Sequence, residues 1–288
     1  MNVVRVERRP GKLWAVLQFP LTRILIAFGA IALVAFPVLA GASAAHLHGL
    51  AFAAAHLLSG LLAWGIYLAY VRLLERRKLV EFPSGTMLPQ LLQGFAVGLA
   101  LYCATVGILW LSGAYRVDGI NPEHAVWVVF INALGAALLE EIAVRGVLFR
   151  IMEEGLGTWI ALAISAAIFG LLHAMNPGAS WISVAGIALE AGLLLAAAYV
   201  YARQLWICIG LHCAWNFTEG GVFGANVSGA KSHGLLLGEL QGPDWLSGGR
   251  FGTETSLVAV LLCLTATVGF LLLARRRGHI MAPSWKRS

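Results

Sequence analysis

Long apolar runs separated by short polar breaks dominate the chain. They cover about Thr22–Ala40, Ala45–Leu74, Leu88–Leu111, His124–Met152, Thr158–His173, Trp181–Tyr201, Gln204–Phe217 and Ser256–Ala274. An α-helix rises about 1.5 Å per residue and a bilayer's hydrocarbon core is roughly 30 Å thick, so runs near 20 residues predict membrane spans. The pattern predicts an all-α fold, a polytopic integral membrane helical bundle of about eight transmembrane helices.

Turn and start signals mark the breaks. Pro83, Gly85 and Pro89 punctuate the second connection, Asn121-Pro122-Glu123 opens the fourth helix, and Gly155-Leu156-Gly157-Thr158 closes it into the fifth, which stops near Asn176-Pro177-Gly178. The Gly-rich stretch Gly220–Thr255 is too long for a bare connection and is expected to be partly ordered. Three regions follow: 1–125 with about three helices, a core at 126–229, and 230–288 with a polar loop, a final helix and a basic tail. A signal peptide is the competing reading of the first run, because Val38–Ala44 resembles a small-residue cleavage site. The run exceeds the usual core of roughly 7–15 residues, which favours a retained helix.

Composition agrees with a membrane assignment: 59% of the 288 residues are hydrophobic and 12% charged, with mean hydropathy +0.81. No internal repeat is evident, which argues against a transporter built on inverted repeats. The net charge of +6 sits in short patches flanking apolar runs rather than on a basic face with interleaved aromatics. Nucleic acid is therefore excluded as a partner, and the bilayer is the expected one. With even-numbered connections cytoplasmic, only Arg116, Lys231 and Arg250 fall on the opposite side and Arg145 lies within the bilayer. That bias places both termini in the cytoplasm, in a cell (plasma) membrane. Cys103, Cys208, Cys213 and Cys263 all lie in apolar runs without CxxC spacing and read as small buried hydrophobes.

The chemistry is concentrated in polar groups within these runs. Glu140, Glu141 and Arg145 stand in the fourth helix, where each ionised group costs roughly 2.5–3.5 kcal/mol on insertion scales unless it faces protein or a wet cavity. Arg145 lies one turn after Glu141 and pairs with it on one face, which leaves Glu140 free. A purely structural network is the bland reading, although it does not require a second glutamate. Phe169 and His173 share a face of the fifth helix, as do His212 and Asn216 in the seventh. Glu140 and His173 are each about 16 residues from the Gly155–Gly157 turn, so a hairpin brings them to similar depth. His212 is only about eight residues from its loop, a mismatch unless the seventh helix begins within the protein or is displaced. A buried glutamate with imidazoles and an amide can activate water and stabilise an oxyanion. Glu140, His173 and His212 also make a reasonable zinc site with an open position. Glu190 and Glu219 are further candidates. His46, His48 and His56 fall at a membrane boundary and are assigned no chemistry.

Taken in order, Glu140-Glu141-x-x-x-Arg145, Phe169-x-x-x-His173 and His212-x-x-x-Asn216 resemble the three motifs of the CPBP family, the CAAX-protease and bacteriocin-processing (Abi) intramembrane endopeptidases. Arg145-Gly146 with Phe149-Arg150, Asn176-Pro177 after His173, and Trp215-Asn216-Phe217 agree. The resemblance covers about 126–229. It implies an intramembrane endopeptidase acting on membrane-anchored protein or small peptide substrates. It further implies that Glu140 is the base, His173 its partner, His212 and Asn216 the oxyanion donors, and Glu141 and Arg145 their support. Members are commonly described as metalloproteases, with Zn2+ or another divalent metal, and a metal-free glutamate mechanism has also been argued. Others are linked to bacteriocin immunity or scaffolding, a non-catalytic alternative.

Overall fold

A computed structural model describes residues 12–287, so Arg5, Arg8 and Arg9 of the basic N-terminal segment lie outside the described residues. Eight helices form the bundle. α1 is Pro20–Ala44, α2 is Gly49–Tyr70 with a π turn Val71–Glu75, and α3 is Met87–Leu111. α4 is Val126–Glu141, prolonged through a π-helical segment Ile142–Phe149 as far as residue 156. At Gly157 the backbone turns (φ 76°, ψ 168°), a conformation essentially confined to glycine, and α5 (158–172) runs back beside α4. α6 is Trp181–Ala202, α7 is Trp206–Asn216 with a π turn Phe217–Val222, and α8 is Leu257–Arg276.

Among the described residues, six helices are long and apolar enough to cross a membrane, with Val126–Leu172 counted once although Gly157 divides it into α4 and α5. α7 is the short one, enclosed by the others. Its start resolves the depth mismatch of His212. The Leu205 N–H donates to the Glu81 carbonyl and the Trp206 indole to the Pro83 carbonyl, so the 76–86 connection folds over the helix and α7 begins inside the protein.

Small residues set the closest helix approaches. A Cβ on Gly135 of α4 would meet the His56–Leu57 backbone of α2 at 2.5 Å, and one on Gly94 or Gly98 of α3 would strike the α7 carbonyls of Ile207 or Leu211. Without a hydrophobic driving force between helices in lipid, such backbone proximity supplies the packing. α2 thus clamps α4, and α3 clamps α7. These two clamped helices carry most of the polar motif residues.

At the basic end, Arg150 bonds Glu75 at 2.8 Å, Arg23 pairs with Glu75 and Glu154, and Arg203 pairs with Glu153 at 2.5 Å and bonds the His279 carbonyl. Charges of α1, α2, the α4–α5 turn and the tail are therefore tied together at one membrane face. At the opposite end, Tyr115–Ile120 (β1) and Leu236–Leu240 (β2) form a two-stranded antiparallel ribbon. This is the order expected in the 220–255 loop, in a form that no local pattern announced.

Two expectations are corrected. Cys103 is exposed on the outer face of α3, whereas the other three cysteines are buried; all four are free. Helix α4 starts at Val126, two residues after the expected His124, and the Asn121 side chain accepts from the Glu123 N–H and donates to the Gly234 carbonyl, holding the loop instead of capping the helix.

Candidate active site

Glu140 and Glu141 end the regular part of α4, immediately before its π-helical segment. An extra residue per turn shifts the hydrogen-bond ladder, a distortion often found at functional sites. Arg145, within that segment, is fully buried; its Nη1 donates to Glu141 Oε1 at 2.8 Å. Its Nη2 donates to the carbonyls of Ala191 and Gly192 at 3.0 and 3.2 Å. Those carbonyls belong to a second π turn, Ala188–Gly192 in α6. The guanidinium also lies over the Phe169 ring, 4.4 Å from its centroid. Ion pair, carbonyls and ring together compensate the cost of a buried charge.

The same Glu141 oxygen lies 2.9 Å from His212 Nδ1. An ionised carboxylate only accepts, so Nδ1 carries a proton and Nε2 faces Glu140. His173 is held in like fashion by its Nδ1, 2.8 Å from the Phe169 carbonyl. The two Nε2 atoms converge on Glu140 Oε2, from His173 at 4.0 Å and from His212 at 3.9 Å. That oxygen has no hydrogen-bond partner among the described residues. Glu140 forms part of the wall of a cavity of about 500 Å³, which Asn216, Asn176 and Ser228 also line.

The structure thus brings Glu140, His173, His212 and Asn216 to one cavity, with Glu141 and Arg145 directly behind. Asn176 Nδ2 donates to the Ser228 carbonyl at 3.1 Å, which fixes the segment after His173 against the long loop. Glu190 does not line this cavity but shares a smaller adjoining one with His173, His212 and Asn216, whereas Glu219 lines neither. Cys263 Sγ donates to Glu190 at 3.5 Å, and Thr253, itself bonded to Tyr102, donates to Glu219 at 2.7 Å. Glu254 lies beside them, accepting from the Ser228 N–H at 2.7 Å. Burial, then the neighbouring Glu219, pushes the Glu254 carboxyl well above the usual range.

Among the cavity residues that escape the sequence reading, two are bonded to each other. His56 Nδ1 is 2.8 Å from Asn132 Oδ1, and both line the cavity. Asn132 stands eight residues before Glu140 in an apolar helix, a spacing that keeps the two within one broad face. His46 and His48 take no part in the lining.

In donor chemistry the site fits a divalent cation. Metal-ligating imidazoles characteristically anchor their second nitrogen on a carboxylate or a carbonyl, as His212 and His173 do. Among the described residues, no three such side chains stand at coordinating geometry.

Residues 122–218 match the family model described as Rce1-like, type II CAAX prenyl endopeptidase Rce1-like. That is the CAAX-protease family whose three motifs Glu140 to Asn216 resemble, and it is a family of membrane proteases. No curated protein and no solved structure matches the chain.

Proposed function

From the match of residues 122–218 to a CAAX endopeptidase family, we propose that the protein is an intramembrane endopeptidase with Glu140 as its general base. The observation that carries this reading is the Glu140 carboxylate: the residue lines the cavity, and its Oε2 is buried, unpartnered and approached by two imidazole Nε2 atoms. Glu140 takes a proton from water as the oxygen adds to the scissile carbonyl carbon. The resulting oxyanion accepts hydrogen bonds from His212 Nε2–H and Asn216. Glu140 then returns the proton to the departing amine as the C–N bond breaks. The products are a carboxylic acid and an amine, which leave as carboxylate and ammonium once the acid has passed its proton to the amine, and the base is regenerated.

Charge balance supports this assignment. With His212 doubly protonated, its two N–H groups point to Glu141 and to the cavity, and two cations, Arg145 and His212, offset two carboxylates. A neutral cluster is the least costly arrangement in a membrane interior. His173, anchored on the Phe169 carbonyl, positions Glu140 and the water. Alternatively, Glu140, His173 and His212 would hold a divalent metal such as Zn2+, which supplies Lewis-acid polarisation when bound. The substrate class is a membrane-anchored protein or peptide.

The test is cleavage of a membrane-anchored reporter by purified wild type and Glu140→Gln in liposomes. Loss of a general base costs typically 10²–10⁴-fold, and unfolding temperature should hold, since Glu140 Oε2 makes no internal bond. A fully active Glu140→Gln protein would overturn the reading.

A further inference from the structure

We infer that the cavity opens to the non-cytoplasmic side of the membrane, so that its substrate is an exported, membrane-anchored polypeptide whose scissile segment lies on that side. The substrate half of this inference rests on the endopeptidase reading; the orientation half does not. Three observations on separate parts of the chain carry it.

The first is where the cavity begins and ends. Its outer lining includes Gly49 and Ala125, at the starts of α2 and α4, and its inner lining includes Glu140 and His212. From Ala125 to Glu140 is fifteen helical steps, roughly 22 Å at 1.5 Å per residue. The mouth therefore lies at the end where α2 and α4 start, beside the β1–β2 ribbon. Lys231 and His233 stand at its rim.

The second is the opposite end. Every residue from Glu141 to Ile151 is buried, and at the end of that run Arg150 joins Glu75 in the ion-pair network of the α4–α5 turn. A polypeptide approaching from there meets packed side chains and paired charges before it meets Glu140.

The third is the distribution of basic residues. The Arg72–Lys78 run, Arg203 and the Arg275–Arg277 run with the tail all belong to the closed end, whereas the open end carries Arg116, Lys231 and Arg250. Orientation follows Lys and Arg counts in short loops, and Asp and Glu contribute little, so the pairing of several of these arginines with glutamates does not weaken the bias. The closed, basic end is cytoplasmic. A lipidated tail displayed in the cytosol could not reach Glu140 without crossing the bundle.

The test uses the full chain with its four native cysteines replaced, expressed in bacterial cells and treated with a membrane-impermeant maleimide. Lys231→Cys at the rim and Arg116→Cys on the same face should label in intact cells, and Ser284→Cys only after permeabilisation. Arg116→Cys lies outside the cavity lining and guards against local disruption at the mouth. The reverse pattern overturns the inference. A paired reporter then carries one cleavable segment on either side of the membrane. Cleavage confined to the non-cytoplasmic version is expected, with at least a tenfold preference, and preference for the cytoplasmic version overturns the substrate half. If neither is cut while labelling stands as stated, it is the endopeptidase reading that fails and the orientation that survives.

Discussion

Arg145 and Glu141 form an ion pair at 2.8 Å with both side chains at or below 1% exposure, and the same Glu141 oxygen holds His212. The pair therefore does two things at once: it neutralises charge in the bundle interior, and it sets the imidazole that faces Glu140. Removing one member leaves the other uncompensated. Arg145→Met is expected to cost about 3–5 kcal/mol, whereas Glu141→Gln combined with Arg145→Met should recover much of that loss. Thermal unfolding in detergent measures both, and an unaltered midpoint for the single variant would refute the account.

Activity should separate from stability at the same place. In the Glu141→Gln/Arg145→Met protein His212 loses its carboxylate partner, so turnover should stay at least tenfold down even where the fold is restored. Kinetics beside the unfolding curve makes the comparison. Restoration of both together would mean that Glu141 serves packing alone.

Metal content divides the two chemistries open to Glu140, His173 and His212. The charge-balanced cluster predicts that purified protein cleaves its reporter with far less than one divalent metal per chain by mass spectrometry, and keeps doing so after chelation. Near-stoichiometric metal, lost together with activity in His173→Ala, would assign the three side chains as ligands instead.

The Glu254 carboxyl supplies a pH dependence. Its folded-state pKa is raised by burial, so above the ordinary carboxylate range, near 4.3, the folded protein holds a proton that the unfolded chain has released. Stability then falls as pH rises from that range toward the raised value. Glu254→Gln should flatten this decline in unfolding temperature measured between pH 5 and 9. An unchanged slope would count against it.

Helix contact supplies a steric prediction. A side chain at Gly135 meets the α2 backbone at 2.5 Å, five residues before Glu140. Gly135→Leu should separate α2 from α4 and lower both stability, by more than about 3 kcal/mol, and turnover. Overpacking of a closed contact typically costs 1–3 kcal/mol when only side chains must yield, and here the obstacle is backbone. Gly65→Ala, in open space on α2, is the control.

Much of this was legible in the chain, and for one physical reason. Ionisable and amide groups inside apolar runs stand out against hydrocarbon, so Glu140, Glu141, Arg145, His173, His212 and Asn216 could be picked out singly, and the Gly157 hairpin aligned two of them. Elsewhere that contrast is missing. Glu254 lies in a polar Gly-rich loop where a carboxylate is unremarked, and its burial arises only when the loop folds onto Glu219. β1 and β2 are short and distant in sequence, so their pairing has no local signature. His56 looked like a boundary residue because it lies near the start of its span; its partner Asn132 is what places it in the cavity.

The π-helical turns carry a last consequence. Ile142–Phe149 follows Glu141 directly, Ala188–Gly192 contains Glu190 and presents the carbonyls that bind Arg145, and Phe217–Val222 contains Glu219. Each is, in effect, one residue more than a regular helix would hold over the same rise. Deleting a single residue between Glu141 and Arg145 would close that turn into an ordinary helix and move Arg145 by roughly 100° about the axis, to the third position after Glu141. Its guanidinium would then leave the Ala191 and Gly192 carbonyls that hold it. These helices can exchange side chains of similar size, yet they have no freedom to change length. In this protein the count of residues between Glu140 and the Gly157 turn is as much a part of the site as the carboxylate.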